Sequence, residues 1–243
     1  LSLTFAQVVG LGPKVLLLDA LIITAVLLVG YQIGTRVLGM DRETTLLTSA
    51  GSAICGAAAV LATESTIRSK PAAASMAVAT VVLFGSLAML TYPLLYPWLG
   101  MDEGLFGVYI GATVHEVAQV VAAGDAVGPD ALANAVIVKL VRVMLLVPFL
   151  LVVGQWWLRQ PTLDGAEASG QGAHKAKLVI PWFALGFIAM VGVNSVITLP
   201  APLHSGLVLA GQIALTMAMA ALGINTRMSR LKALGVKPFL LAL

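Results

Sequence analysis

Five runs of this chain stay apolar for twenty residues or more, and no other feature narrows its fold so far. They are "VLLLDALIITAVLLVGYQIG" (15–34), "AAASMAVATVVLFGSLAMLTYPLLYPWL" (72–99), "ALANAVIVKLVRVMLLVPFLLVVGQWWL" (131–158), "LVIPWFALGFIAMVGVNSVITL" (178–199) and "SGLVLAGQIALTMAMAALGI" (205–224). A hydrocarbon core about 30 Å thick is crossed by roughly 20 helical residues. A backbone facing lipid must satisfy its own N–H and C=O groups, so runs of this kind become helices. The expected fold class is all-α, a polytopic transmembrane helical protein. Composition agrees: only 10% of residues are charged, where a soluble domain carries about 25%, and the mean hydropathy is +0.99. Trp98, Trp156, Trp157 and Trp182 fall near run ends, as an aromatic belt requires.

Fourteen Lys and Arg against eleven acids is a small excess that bears on orientation and gives no nucleic-acid partner. Cys55 is the one cysteine, so no intrachain disulfide can form. Nothing calls for an enzyme, a cofactor or a metal. The chain opens on Leu1 and stops at "KPFLLAL", where a further apolar segment starts. The expectation is one transmembrane domain over 1–243, truncated at both ends.

Two stretches depart from the apolar pattern. "LLTSAGSAICGAAAVLA" (46–62) and "GLFGVYIGATVHEVAQVVAAG" (104–124) are rich in Gly, Ala, Ser and Thr and carry polar residues at their middles. Gly weakens a helix, so these are expected to be broken or re-entrant helical segments. They also align: Gly51 with Gly111, Ala58 with Ala118, Val60 with Val120, Ala62 with Ala122, and Cys55 with His115. Each precedes a long helix with a late proline, Pro93 or Pro148. Residues 44–99 and 104–158 thus read as two copies of one unit. If both stretches are re-entrant, Arg36, Arg42, Arg68, Lys70, Arg159, Lys175, Lys177, Arg227, Arg230, Lys232 and Lys237 share one face, and Lys14, Asp102, Glu103, Asp125 and Asp130 the other. That sorting follows the positive-inside rule. It makes 159–177 a cytoplasmic loop and makes the two units inverted repeats, a recurring build of secondary transporters.

Lys139 and Arg142 share a helix face inside the run 131–158. A charge at the bilayer centre costs roughly 2.5–3.5 kcal/mol, so both must face the protein interior. Glu116 is the expected counter-charge, leaving a net positive site. Gly51, Gly56 and Gly111 would let backbone approach a ligand, Ser52 and Thr113 would add hydroxyl donors, and half-helix N-termini favour anions. His115 and Gln119 are candidate proton donors or relays, since imidazole titrates near neutral pH. Cys55 reads as a small buried residue, and Asp19 as interfacial, near its helix start. Asn194 and Ser195 either line the same cavity or bond across helices. His174 and His204 read as loop residues. "HEVAQ" (115–119) is one letter short of the HExxH zinc motif, and Gln119 is a poor zinc ligand.

"AGSAICGAAAVLATE", "YIGATVHEVAQVVAAG", "AVIVKLVRVMLLVPFLL", "IPWFALGF" and "AMAMAALGINT" together resemble the YeiH-type family of bacterial inner-membrane proteins, often labelled sulfate exporters. The resemblance spans nearly the whole chain. Gly51, Ser52, Cys55, Gly56, His115, Glu116, Gln119, Lys139 and Arg142 stand at its motif positions. It implies further residues before Leu1 and a short final helix after Leu243. Residues and resemblance together lead to the expected function: alternating-access secondary transport of a small anion, such as sulfate or another sulfur oxyanion, across the bacterial plasma membrane. The alternatives are an anion channel and a structural membrane protein with a buried polar network. The expected partners are the anion and the lipid bilayer; self-association into a homo-oligomer is left open.

Overall fold

The structure, a computed structural model, describes residues 12–159, isolated positions between 189 and 200, and residues 201–225 and 237–242. Among the described residues it is helical, with no strand. Helix α1 spans Gly12–Gln32 and runs on through a π turn, Ile33–Val37. It is followed by α2 (Arg42–Ala53), α3 (Ala57–Ile67), α4 (Pro71–Leu99), α5 (Glu103–Thr113), α6 (Val117–Val127), α7 (Pro129–Met144) and α8 (Leu146–Leu158). Beyond these lie α9 (Ala201–Asn225) and α10 (Lys237–Ala242).

The helix boundaries follow from residues at hand. Asp41 caps α2 by accepting from Thr44 N–H at 2.8 Å, and Asp102 caps α5 by accepting from Leu105 N–H at 3.2 Å. Pro71 and Pro129 open α4 and α7, where a missing N–H costs nothing. The run 131–158 is one span with a kink at Leu145 between α7 and α8. Pro148 explains it, because its ring has no N–H for the carbonyl of Met144 and clashes there.

The stretches 46–62 and 104–124 are each broken into two half-helices, α2/α3 and α5/α6. Each pair turns back on itself. The Glu43 carboxylate, at the start of α2, accepts from Lys70 N–H just after α3, at 3.0 Å. Sixty residues on, the Glu103 carboxylate accepts from Asp130 N–H just after α6, at 2.9 Å. A full crossing would put those partners on opposite sides of the bilayer. Between the hairpins α4 carries the chain about 43 Å at 1.5 Å per residue, so the hairpins dip in from opposite ends. Arg36, Arg42, Arg68 and Lys70 lie at the end where α2/α3 opens, and Asp102, Glu103 and Asp130 at the other. Tyr31 of α1 and Trp156 of α8 meet edge-to-face at the basic end, 5.4 Å between rings.

Among the described residues three helices are long and apolar enough to cross a membrane: Val15–Val37, Pro71–Leu99 and Pro129–Trp157. Their outward faces are greasy, with Leu16, Leu17, Leu21, Leu90, Leu94 and Trp98 exposed. The core lies between them. Leu46, Leu47, Val60, Val81 and Leu150 pack the first hairpin against α4 and α8. Phe106, Ile110, Val120 and Ala135 pack the second against α7. The run 205–224 falls within α9, and His204 stands in that helix's first turn rather than in a loop, because Pro200 starts the helix by accepting from His204 N–H at 3.0 Å. The loop 159–177 with His174, and the run 178–199 with Trp182, Asn194 and Ser195, lie outside the described residues but for single positions.

Candidate functional site

The two helix breaks meet. After α2, Ile54 leaves the helix and Gly56 takes φ +66, a conformation that suits glycine. After α5, Val114 and Glu116 are extended. Each break leaves carbonyls from one half-helix and amides from the next inside the protein, where water cannot satisfy them all. Lys139, fully buried, answers the carbonyls of both: its Nζ donates to Ile54 O at 2.8 Å and to Val114 O at 2.6 Å. Arg142, 1% exposed, donates to Ala112 O. Helix C-termini carry partial negative charge, so cations there are held by the dipole as well as by the hydrogen bonds.

The amide ends are answered by the second break. Glu116 Oε1 accepts from Ala57 N–H, the first residue of α3, at 3.1 Å. Glu116 also forms a capping box with Gln119, its own N–H donating to Gln119 Oε1 at 3.2 Å. Gln119 Nε2 donates to Val82 O at 3.3 Å and to Ser86 Oγ at 3.2 Å on α4. It lies there because Gly85 has no Cβ to collide with it.

Several expectations change. Lys139 and Arg142 bond backbone carbonyls rather than Glu116, which caps α3 instead. Gln119 spends its amide on pinning α6 to α4, so it is no free proton relay. Gly51 and Gly111 serve helix packing, not ligand approach: a Cβ on Gly51 would stand 2.7 Å from Val60 Cγ2, and one on Gly111 2.5 Å from Ala135 O. Thr113 bonds its own helix, donating to Tyr109 O at 2.7 Å. Gly56 does lie at the junction; a Cβ there would meet Glu116 Cγ at 2.6 Å. Ser52 Oγ and His115 Nδ1 are buried with no hydrogen-bond partner, and Cys55 sits buried in the first break as His115 does in the second. His115 lies in the extended link before α6, off the helix that holds Gln119, so "HEVAQ" lacks the helical i, i+4 geometry of a zinc motif.

Asp19 is the residue that sequence reading misplaced. It is fully buried rather than interfacial, and Val15 and Ile22 on its face of α1 pack with Val138 of α7, the helix that carries Lys139 and Arg142. The cause is local: the chain is already helical at Gly12, so Asp19 stands about two turns further along α1. Its carboxyl changes the charge balance. Among the described residues the core holds two cations, Lys139 and Arg142, and two carboxyls, Asp19 and Glu116, so no positive charge is left over among them when all four are ionised. Among the described residues no group of three His, Cys, Asp or Glu could hold a metal.

Known proteins are similar to this chain in sequence. The family described as conserved hypothetical protein 698 matches residues 1–242. A UPF0324 membrane protein of Pseudomonas aeruginosa is 47% identical over 248 residues, which cover 100% of this chain and 68% of that protein. The UPF0324 inner membrane protein YeiH of Escherichia coli (strain K12) is 46% identical over 243 residues, with 99% of this chain and 68% of that protein covered. YeiH of Salmonella typhimurium is also 46% identical, with the same shares. No solved structure matches.

Proposed function

The chain belongs to the conserved hypothetical protein 698 family and is a multi-pass protein of the bacterial inner membrane; from that premise we propose that it is a secondary transporter of a small anion, such as sulfate or another sulfur oxyanion. The observation that carries this reading is the Glu116 carboxylate on the amide end of α3, held at 3.1 Å from Ala57 N–H. It occupies the place where a half-helix N-terminus binds an anion. In this reading Glu116 is the resident anion of the empty site, and substrate takes over its place. Lys139 stays between the two breaks, so a charge change at one is felt at the other. The two hairpin units, 44–99 and 104–158, are inverted repeats, and rocking one against the other exposes the junction to each side in turn. The basic end is cytoplasmic by the positive-inside rule.

The test is counterflow. Full-length protein in liposomes loaded with unlabelled sulfate should take up radiolabelled sulfate transiently above its equilibrium level. Arg142→Ala, recovered as a monodisperse folded protein, should lose this. Flux without transient accumulation would favour an anion channel instead. A structural role also has an observation behind it, since Lys139 and Arg142 both end on backbone carbonyls. It requires that sulfate, sulfite and other small oxyanions neither move nor shift the thermal midpoint.

A further inference from the structure

The buried charges are not equally engaged. Glu116 and Lys139 have hydrogen-bond partners, but both carboxylate oxygens of Asp19 are buried without one, and so is Arg142 Nε. Asp19 is the one charged residue of the span Val15–Val37 apart from Arg36 at its far end. Its neighbours on the packed face of α1, Val15 and Ile22, cluster with Val108 and Ala112 of α5 and Val138 of α7. Ala112 is also the residue whose carbonyl holds Arg142. An ionised carboxylate in such surroundings, with no donor, is strongly disfavoured. It has two ways out: to take a proton, or to close onto the free edge of the Arg142 guanidinium.

Among the described residues the charged groups facing it are few. Arg142 and Lys139 face it from α7. The charges of α2, Arg42 and Glu43, stand in that helix's first turn. Helix α2 meets α1 through Thr45 against Gly34 and Ser49 against Gly30, beyond Asp19 along α1. The α5 residues beside it are apolar. A proton on His115 would add a third positive charge near Lys139 and Arg142, whereas a proton on Asp19 removes a negative one.

We propose that Asp19 is the carrier of a coupling proton, and that the proton and the anion are taken up together at the junction of the two breaks. The inference rests on the transport reading above. Protonation of one Asp19 oxygen, with the proton drawn from whichever aqueous phase the site faces, leaves Lys139 and Arg142 opposed by Glu116 alone. The site then carries one net positive charge and holds an anion more tightly. By linkage the bound anion holds the proton more tightly to the same degree. When the pair has crossed, anion and proton leave to the other phase, and Asp19 closes onto Arg142 until the next proton arrives. Anion and proton therefore move in the same direction.

The experiment uses the full-length protein in liposomes with a trapped pH dye, under an outward sulfate gradient. The lumen of wild-type vesicles should become alkaline as sulfate leaves, and more slowly when the lumen is made more basic at the start. Asp19→Asn should still exchange labelled sulfate for unlabelled sulfate, but with the dye signal reduced at least about tenfold and with exchange no longer dependent on pH, a tenfold change corresponding to about 1.4 kcal/mol. Asp19→Glu, which keeps a carboxyl, should restore the proton signal, and it decides the matter if Asp19→Asn does not fold. Sulfate efflux by the wild type with no dye response overturns the inference and leaves transport standing. So does a proton signal that survives in folded Asp19→Asn. No flux of sulfate or sulfite by the wild type overturns both.

Discussion

The two hairpins share a frame and differ at the point where it breaks. Each starts at an aspartate cap, Asp41 or Asp102, and each is closed by a glutamate, Glu43 or Glu103, reaching the first amides of the next long helix. At the breaks the likeness ends. The first reads Ile54-Cys55-Gly56 and offers a bare amide and a bare carbonyl. The second reads Val114-His115-Glu116 and brings a carboxylate, which caps the first break's amide. The long helices differ in the same sense: α7 carries Lys139 and Arg142, whereas sixty residues earlier α4 has Ala79 and Val82. The two hairpins leave two sets of helix ends inside the protein, and the second hairpin with the helix after it supplies charges for both. Such an arrangement lets a proton or ligand at one break act on the other without a long path.

The largest expected effect of breaking this division comes from Gly56→Ala. The position sits at φ +66, and the new Cβ would press on Glu116 Cγ. Strain of this kind costs about 1–3 kcal/mol, or about 3–10 °C of thermal midpoint for a chain of this size. Sulfate counterflow should fall with it, since Glu116 is pushed off the α3 amide. The matching position in the second break, Glu116, has an ordinary backbone at φ −107, so Glu116→Ala should cost less. Equal losses in a thermal scan of the two variants would mean that the breaks are not specialised.

Glu116 itself gives the next effect. Glu116→Ala removes the acceptor from Ala57 N–H, and loss of a helix cap costs about 1 kcal/mol. Glu116→Gln keeps an acceptor oxygen and removes the charge. Gln should therefore hold the midpoint near wild type while binding sulfate more tightly, by up to about tenfold, the scale of 1.4 kcal/mol. Isothermal titration of both variants separates cap from charge. Sulfate affinity unchanged in Glu116→Gln would show that the carboxylate does not stand in the anion's place.

This asymmetry was only half legible in the sequence. The breaks were visible, because a helix that crosses lipid is not built from Gly, Ala, Ser and Thr around a His-Glu pair unless protein covers it. The reading of 44–99 and 104–158 as two copies rests on matches such as Gly51/Gly111 and Val60/Val120. What Lys139 and Arg142 touch was hidden, because their partners are the carbonyls of Ile54, Val114 and Ala112, and a carbonyl leaves no letter in the sequence. Asp19 was hidden because the chain is already helical at Gly12, ahead of the apolar run itself. Gly85 looked like any small residue until Gln119 was found lying across it.

The smallest effect, and the finest test of coupling between the breaks, belongs to Cys55. It is buried in the first break, and Lys139 Nζ bonds the carbonyl of its neighbour Ile54. Cys55→Ala should cost under about 1 kcal/mol, since only a small buried sulfur is lost. Its value is as a reporter. In oriented vesicles of full-length protein freed of other cysteines, a membrane-impermeant thiol reagent should label Cys55 slowly from one side, and sulfate should slow it further. Glu116→Gln should strengthen that protection, because the substitution and the anion act on the same amide end. If sulfate protects Cys55 equally in wild type and Glu116→Gln, the anion reaches the first break without passing through the second. The division of labour between the two hairpins would then have to be redrawn, with Lys139 alone as the link.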